Sequence, residues 1–207
     1  MKNWKSIILE LQETLYHLSA HDRFSNEIEP DDAFEIWKER TLLLHNQRRT
    51  VYLIGNGASA SMASHVSADL AKNALIHTEV FSDLSLITAI ANDLSYEEVF
   101  AEPLRRRMLG GDMLVAISSS GKSPNILRAV KEARFLGGTI ITLSAMEEDN
   151  EIRRLGDLNF HIPALTYGLA ETCHAAILHH WIDIVAQAKP IALAREIWLC
   201  EKNIVSN

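Results

Sequence analysis

Apolar residues recur at helical spacing along the first part of the chain. Between residues 4 and 18 the repeat forms one apolar stripe of an amphipathic helix: Trp4, Ile7, Ile8, Leu11, Leu15 and Leu18. A break follows at residues 25–30, and Asp31 and Asp32 then open a second amphipathic stretch. Acidic side chains suit the first turn of a helix because the helix dipole is positive there. We therefore predict a helical extension over residues 1–49.

From Thr50 onward the pattern changes to short apolar runs that alternate with amphipathic helical stretches. The runs occupy residues 50–55, 79–82, 113–118, 139–144 and 158–163. This alternation predicts βαβ units, in which a mostly parallel sheet carries helices on both faces. The predicted fold is α/β: a doubly wound, mostly parallel five-stranded sheet of flavodoxin-like size, flanked by helices, with an N-terminal helical extension. Ligands of such sheets bind beyond the carboxyl ends of the strands, where the strand order reverses.

The length of the chain, 207 residues, suits one domain. We predict a single domain over 1–207, with N-terminal helices at 1–49, a binding core at 50–187 and a C-terminal tail at 188–207. Pro190 separates the last predicted helix from that tail.

The charge balance argues against a nucleic-acid partner. The chain carries 20 Lys and Arg against 27 Asp and Glu, a formal net charge of -7. Phosphate backbones are bound by lysines and arginines gathered on one face. The densest basic spot is Arg105 to Arg107, a triplet typical of a solvated helix face.

The remaining bulk features indicate a cytoplasmic protein without a membrane partner. No run reaches the roughly 18 apolar residues that a membrane span needs. The first fifteen residues are charged and amphipathic rather than typical of a signal peptide. Cys173 and Cys200 form no CxxC pair, so we expect reduced thiols and neither a disulfide nor a zinc finger.

Gly55 to Ala60, with the sequence GNGASA, directly follows the first predicted strand and opens a helix. Glycines allow a tight turn and a close approach to an anion, and the N–H groups of a helix start favour negative charge. The same residues fit the dinucleotide fingerprint G-x-G-x-x-A, and Asp83 stands where a ribose-binding acid would lie. The first loop therefore leaves a phosphorylated sugar and a dinucleotide open.

The second loop favours the phosphorylated sugar. Four serines, a glycine and a lysine lie between a strand and a helix at Ser118 to Pro124, with Ser123 as N-cap and Pro124 as first helical residue. Hydroxyls and backbone N–H groups together can surround a phosphate without a formal positive charge. A dinucleotide domain has no need of this loop, so no nucleotide cofactor is expected.

Together the two loops resemble the signature pair of the sugar isomerase (SIS) domain family. GNGAS stands at 55–59 and AISSSGKSPN at 116–125. IANDLSYEEVF at 90–100 resembles the matching stretch of phosphoheptose isomerases and of the related DnaA initiator-associating protein. The resemblance covers about 50–187. It implies that the phosphate and nearby hydroxyls are held by Asn56, Gly57, Ser59, Ser118, Ser119, Ser120 and Ser123, and that Asp93 faces the sugar.

Acid and base candidates lie on two predicted helices. His65 and Asp69 are four residues apart, so they share a helix face. The last helix, predicted over 167–187, carries Glu171, His174, His179 and His180. By spacing alone Glu171 and His174 form the natural pair, and His179 can also converge with Glu171.

The resemblance implies a particular subset of these residues. In phosphoheptose isomerases four matching positions cluster, often around zinc, and they fall here on His65, Asp69, Glu171 and His179. Asp69 would be the base and His179 the partner acid or base of an aldose–ketose isomerisation through an enediol. The substrate would be sedoheptulose 7-phosphate or a related ketose phosphate, and the assembly a homotetramer.

The chain also departs from the family pattern. Asp69 replaces a glutamate and Glu171 a glutamine, while Asn73 and Gly168 stand where an arginine and an aspartate are frequent. These changes leave the identity of the sugar open. The alternative to an enzyme is a non-catalytic module that binds a sugar phosphate or a partner protein. The initiator-associating relatives lack the histidine that matches His179, so this residue favours an enzyme.

Overall fold

A seven-stranded sheet with helices on both faces forms the centre of the computed structural model, which describes residues 3–188. In chain order the elements are α1 (Trp4–Tyr16), β1 (Ser19–Asp22), β2 (Glu27–Ile28), α2 (Pro30–Asn46), β3 (Val51–Gly55), α3 (Ala58–Ala74), β4 (Thr78–Val80), α4 (Leu84–Asp93), α5 (Glu98–Arg107), β5 (Met113–Ser118), α6 (Pro124–Phe135), β6 (Thr139–Ala145), β7 (Leu158–Ile162) and α7 (Tyr167–Ala188). A 3₁₀ helix at Glu151–Arg154 precedes β7.

The strand order is β2-β1-β7-β6-β5-β3-β4. The strands β4, β3, β5, β6 and β7 are parallel to one another, and they coincide with the five predicted runs. β1 and β2 extend the β7 edge as an antiparallel hairpin. The predicted α/β architecture is therefore confirmed, and the hairpin adds two strands to it.

The core occupies both faces of the parallel strands. One layer packs α2, α3 and α7 against the sheet, and the other packs α4, α5 and α6 on the opposite face. In the first layer the rings of Trp37 and Trp181 stack with centroids 4.1 Å apart. Nε1 of Trp181 donates to the hydroxyl of Thr41 at 3.1 Å, so this buried ring keeps its polar atom paired.

The arginine triplet at the end of α5 is paired rather than simply solvated. Arg105 bonds Glu132 of α6 at 2.9 Å and also contacts Glu98 and Glu102. Arg107 pairs with Glu79 at 3.2 Å. All three arginines are exposed, as expected of a solvated helix face, and acidic residues of α6 and of α5 itself pair with Arg105.

The expectations about the cysteines and about membrane spans can be compared with the structure only for residues 3–188. Cys173 is free and buried, and burial raises the pKa of its thiol to about 11. Cys200 and the tail after Pro190 lie outside the described residues. Among residues 3–188, no helix combines the length and the apolarity that crossing a bilayer requires.

Candidate functional site

The two predicted ligand loops leave neighbouring strands at the point where the strand order reverses. β3 and β5 are adjacent, with Gly55 opposite Ile117. From β3 the chain goes to β4 on one side, whereas from β5 it goes to β6 and β7 on the other. A crevice opens at such a switch point because the two connecting helices diverge to opposite faces of the sheet.

The first loop depends on two glycines. Gly57 has φ +56° and ψ -123°, a conformation that residues with a Cβ rarely adopt. A Cβ on Gly55 would lie 2.6 Å from Cβ of Ser59, so only glycine lets α3 begin this close to β3. The N–H groups of Ser59 and Ala60 bond the carbonyls of Asn56 and Gly57, both at 3.0 Å, and are therefore committed to the turn.

The serine loop contains two side chains, Ser118 and Ser123, whose hydroxyls make no hydrogen bond to the described residues. Ser118 is buried, and its Oγ has no hydrogen-bond partner among the described residues. Ser123 holds the N-cap position of α6, but its side chain makes no capping bond. Gly121 has φ +64°, and a Cβ there would lie 2.1 Å from Oδ1 of Asn150. A buried hydroxyl without a partner is unfavourable, so a ligand that accepts or donates a hydrogen bond would stabilise Ser118.

A cavity of about 150 Å³ lies where both loops meet the start of α7. Its lining contains most of the predicted phosphate-binding residues together with Tyr167 and Glu171: Asn56, Ser59, Ile117, Ser118, Ser119, Ser120, Ser123, Tyr167 and Glu171. Gly57 shapes the turn without lining the cavity. Asp93 is the exposed last residue of α4, where it accepts a bond from Asn92 at 2.8 Å.

A reciprocal amide pair joins the two loops. Nδ2 of Asn56 donates to Oδ1 of Asn125 at 2.9 Å, and Nδ2 of Asn125 donates back to Oδ1 of Asn56 at 2.8 Å. The Tyr96 hydroxyl also donates to Oδ1 of Asn56, at 3.3 Å. Sequence reasoning assigned no role to Asn125 or Tyr96, although both stand in the stretches that carry the family resemblance.

The histidines and carboxylate predicted for chemistry come together between α3 and α7. Ligand atoms of His65, Asp69 and His179 all lie within 4.8 Å of one another. Nε2 of His65 is 3.4 Å from Oδ2 of Asp69, and the two imidazole centroids are 5.3 Å apart. A tetrahedral zinc ion with bonds of about 2.0–2.1 Å needs ligand atoms roughly 3.3 Å apart, so this donor set fits a metal after small side-chain movements.

Glu171 and His174 take different positions from that group. Glu171 lies two turns before His179, about 12 Å along the helix axis, and lines the serine cavity instead. His174 is fully buried, and its Nε2 donates to the carbonyl of Ser144 at 3.1 Å. Burial lowers the pKa of His174 to about 4, so this imidazole is neutral and points into the protein. The pair that spacing alone favours does not form.

The dinucleotide interpretation of the first loop needs Asp83 to bind a ribose hydroxyl, but this residue has a different role in the structure. Asp83 is the N-cap of α4, and its carboxylate accepts a hydrogen bond from the N–H of Leu86 at 2.9 Å. A carboxylate committed to a cap is less available to a ribose hydroxyl.

The family is shown by comparison with known proteins. The model of the SIS domain family matches residues 26–145, more than half of the chain. The chain therefore belongs to the SIS domain family. It is 35% identical over 139 residues to the phosphoheptose isomerase of Coxiella burnetii, which covers 63% of this chain and 70% of that protein.

Further relatives agree with this assignment. The phosphoheptose isomerase of Mycobacterium tuberculosis is 33% identical over 135 residues, 62% of this chain and 68% of that protein. The solved phosphoheptose isomerase from Francisella tularensis has the same fold, with a TM-score of 0.76 at 23% identity, covering 90% of this chain and 100% of that one.

Proposed function

We propose that the chain is an aldose–ketose isomerase of the phosphoheptose isomerase type. It interconverts sedoheptulose 7-phosphate, or a related ketose phosphate, with the aldose phosphate through an enediol. The single observation that carries this proposal is the pairing of a serine-lined cavity with a separate acid–imidazole group, since α3 and α7 contribute residues to both. The first part suits a phosphate, and the second suits proton transfer.

The serine cavity holds the phosphate in this proposal. Ser118, Ser119, Ser120 and Ser123 converge there, and the unpartnered Oγ of Ser118 gains an acceptor when an oxyanion enters. Glu171 lines the same cavity. A carboxylate repels a phosphate but accepts hydrogen bonds from sugar hydroxyls, so we assign Glu171 to the hydroxyls next to the phosphate.

The carbon chain extends from the cavity toward the proton-transfer group. His65 lies six residues after Ser59 on α3, about 9 Å along the helix axis. Asp69 removes the proton from the carbon next to the carbonyl, which yields the enediol. His179 moves the proton between the two oxygens, and Asp69 returns its proton to the neighbouring carbon.

A metal ion would be held by His65, Asp69 and His179. Imidazole and carboxylate are ordinary zinc ligands, and three protein ligands leave a position open for substrate. When bound, the metal supplies polarisation of the carbonyl. Glu171, which the resemblance implies as a fourth ligand, lines the serine cavity instead and is left out of this ligand set. The two oxygens of Asp69 allow one to bind the metal while the other takes the proton.

The test compares three single-residue variants with the parent chain. We expect Asp69→Asn and His179→Ala to lower kcat at least about 100-fold, as removal of a general acid or base typically does. The matched control is His180→Ala, because His180 is exposed and packs its ring edge-on against Phe34. Turnover of sedoheptulose 7-phosphate and incorporation of solvent deuterium into the sugar are the two measurements.

Two results would contradict the proposal at different levels. Parent-like turnover in both variants would remove the roles assigned to Asp69 and His179. A parent that binds ketose phosphates across a panel without turnover or deuterium incorporation would instead be the non-catalytic binding module. A chelator-treated parent that regains activity with zinc would support the metal assignment.

We also propose self-association, with the homotetramer as the expected form. The apolar hollow between α1 and the start of α7 supports this, since it leaves Trp4 and Ile7 open to a partner surface. The cytoplasmic location expected from the sequence stays a prediction, as does the absence of a nucleic-acid partner.

A further inference from the structure

A second cavity lies at the end of the sheet opposite to the serine loops. It has a volume of about 500 Å³ and opens beside the first residue of β6, Thr139, and beside Asp157, which directly precedes β7. Three arginines from three separate segments line it: Arg23 after β1, Arg40 on α2 and Arg134 on α6. The serine cavity occupies the carboxyl ends of the strands, so the two cavities are separated by the length of the sheet.

The two carboxylates of this cavity are already committed to local partners. Oδ1 of Asp22 accepts bonds from the N–H groups of Phe24 and Asn26 at 2.8 and 2.9 Å. Its Oδ2 accepts from the Asn26 side chain at 2.8 Å, the main reason why the pKa of Asp22 is lowered. Asp157 accepts from Arg134 at 2.6 Å and from the N–H of Ile140 at 2.9 Å. One arginine of the three is therefore neutralised.

The other two arginines have no carboxylate partner among residues 3–188. Arg40 is half-buried, and its Nη1 is buried without a hydrogen-bond partner among the described residues. Arg23 is exposed and lies over the Phe24 ring, with its guanidinium carbon 5.0 Å from the ring centroid. Two guanidinium groups without a carboxylate partner thus face one cavity, whose lining carries three arginines and the two carboxylates of Asp22 and Asp157. A buried donor without an acceptor is unfavourable, and an anion would remove that penalty.

We propose that Arg23 and Arg40 form a second anion site, which binds the phosphate of a small phosphomonoester away from the serine cavity. Guanidinium groups bind phosphate oxygens in a two-pronged manner, and the three arginines of the lining exceed its two carboxylates by one positive charge. The cavity is larger than a bare phosphate needs, which favours an ester over the free ion. Nothing in this inference depends on the isomerase proposal, because no residue is shared between the two cavities.

The test isolates the second site from the first in the full-length chain. Ser119→Ala combined with Ser120→Ala weakens the serine cavity, and titration calorimetry then measures binding of inorganic phosphate and of glycerol 3-phosphate. We expect one remaining equivalent per chain, with the ester bound more tightly. Adding Arg40→Gln or Arg23→Gln is expected to weaken this binding at least tenfold. The matched control Arg106→Gln changes an exposed arginine of α5, which pairs with Glu102 away from the cavity.

The possible results distinguish a site for a phosphate ester, a site for free phosphate and the absence of a site. Equal binding of the ester and of inorganic phosphate keeps the site but makes free phosphate the occupant. No binding in the double-serine variant overturns the site. Binding that persists in both arginine variants overturns it as well. If Arg40→Gln fails to fold, the exposed Arg23 still provides the decisive variant, and Arg40→Lys tests the guanidinium fork while keeping the charge.

Discussion

Burial, rather than spacing, separates the histidines of α7 into one that is packed inside the protein and two that are exposed. His174 and His179 belong to the same helix, yet the first is fully buried and the second is exposed beside His65. On a second element, His161 of β7 is also buried, and burial lowers its pKa to about 4. The family resemblance points to His179, which lies beside His65 in the structure, whereas spacing alone favours His174 and leaves His179 as a second possibility. Periodicity fails here because it identifies residues on one face without saying what covers that face.

The buried His174 makes the stability of the protein depend on pH in a defined window. Its pKa falls from 6.5 in the unfolded chain to about 4 in the folded one. Above pH 6.5 both states hold the neutral ring. As the pH falls from 6.5 toward 4, the unfolded state binds a proton that the folded state excludes, so stability is lost. From pH 7.5 to pH 5 we expect this one residue to lower the free energy of unfolding by about 2 kcal/mol.

Chemical denaturation of the parent and of His174→Gln at the two pH values measures this effect. The variant should be less stable at pH 7.5 because the imidazole packing is lost, but its further loss at pH 5 should be smaller by about 2 kcal/mol. The control His17→Gln replaces an exposed histidine and shows whether the changed pH dependence is specific to the buried ring. Identical pH dependence in parent and His174→Gln would contradict the assignment.

At the scale of the elements, apolar patterning predicts the parts of the fold that are buried. The five parallel strands and both N-terminal helices match their predicted segments within a few residues. The hairpin of β1 and β2 was missed because its strands, SAHD and EI, carry no apolar alternation. They become strands only through pairing with β7, for example Ala20 with Phe160. Tertiary pairing of this kind is not encoded in local pattern.

The proposed site also has parts that local sequence predicts and parts that depend on tertiary packing. The turn glycines and serines could be predicted because a tight strand-to-helix turn demands a restricted set of residues. The amide pair of Asn56 with Asn125, which joins residues 69 positions apart, could not. Neither could the placement of Glu171 against the serines, since that depends on how α7 docks on the sheet.

Helices α5 and α6 are joined by ion pairs whose loss should be measurable. Glu132 of α6 is buried, with only 8% of its side chain exposed, and pairs with both Arg105 and Arg128. Its hydrogen bond with Arg105 is the main cause that lowers the pKa of Glu132. We expect Glu132→Gln to lower the free energy of unfolding by about 1–2 kcal/mol, less than for a fully buried pair because both arginines are about one-third exposed.

Thermal unfolding measures this change, and the expected decrease in Tm is roughly 2–8 °C for a chain of this size. Glu151→Gln is the matched control. Glu151 lies in the 3₁₀ helix before β7 and pairs with Lys131 of α6 at 3.2 Å. Both side chains of this pair are more than half exposed. We expect the control to stay within about 0.5 kcal/mol of the parent. Equal losses in the two variants would show that α5 and α6 do not depend on the buried pairs.

At the scale of the whole molecule, polar chemistry and apolar surface occupy different places. The serine cavity lies at the carboxyl end of the sheet, and the arginine cavity lies at its amino end. A third hollow, of about 530 Å³ and mainly apolar, lies between α1 and the start of α7. Because α7 also carries Glu171 and His179, a second copy bound at this hollow would fix the helix that both parts of the proposed active site share.

Self-association is therefore expected to pass through α1 and to support activity. Trp4 is 74% exposed and Ile7 37%, which is unfavourable for a surface that faces only water. Ile7→Asp places a charge in the hollow, and we expect it to shift the protein from an oligomer to smaller species in light scattering coupled to gel filtration. The control Gln12→Asp adds the same charge on α1 outside the hollow and should keep the parent's mass.

A parent that is already monomeric at micromolar concentration, or an Ile7→Asp variant with the mass of the parent, would contradict this interface. A smaller Ile7→Asp species that retains full isomerase turnover would separate assembly from catalysis, because α7 would then hold Glu171 and His179 in place without a partner.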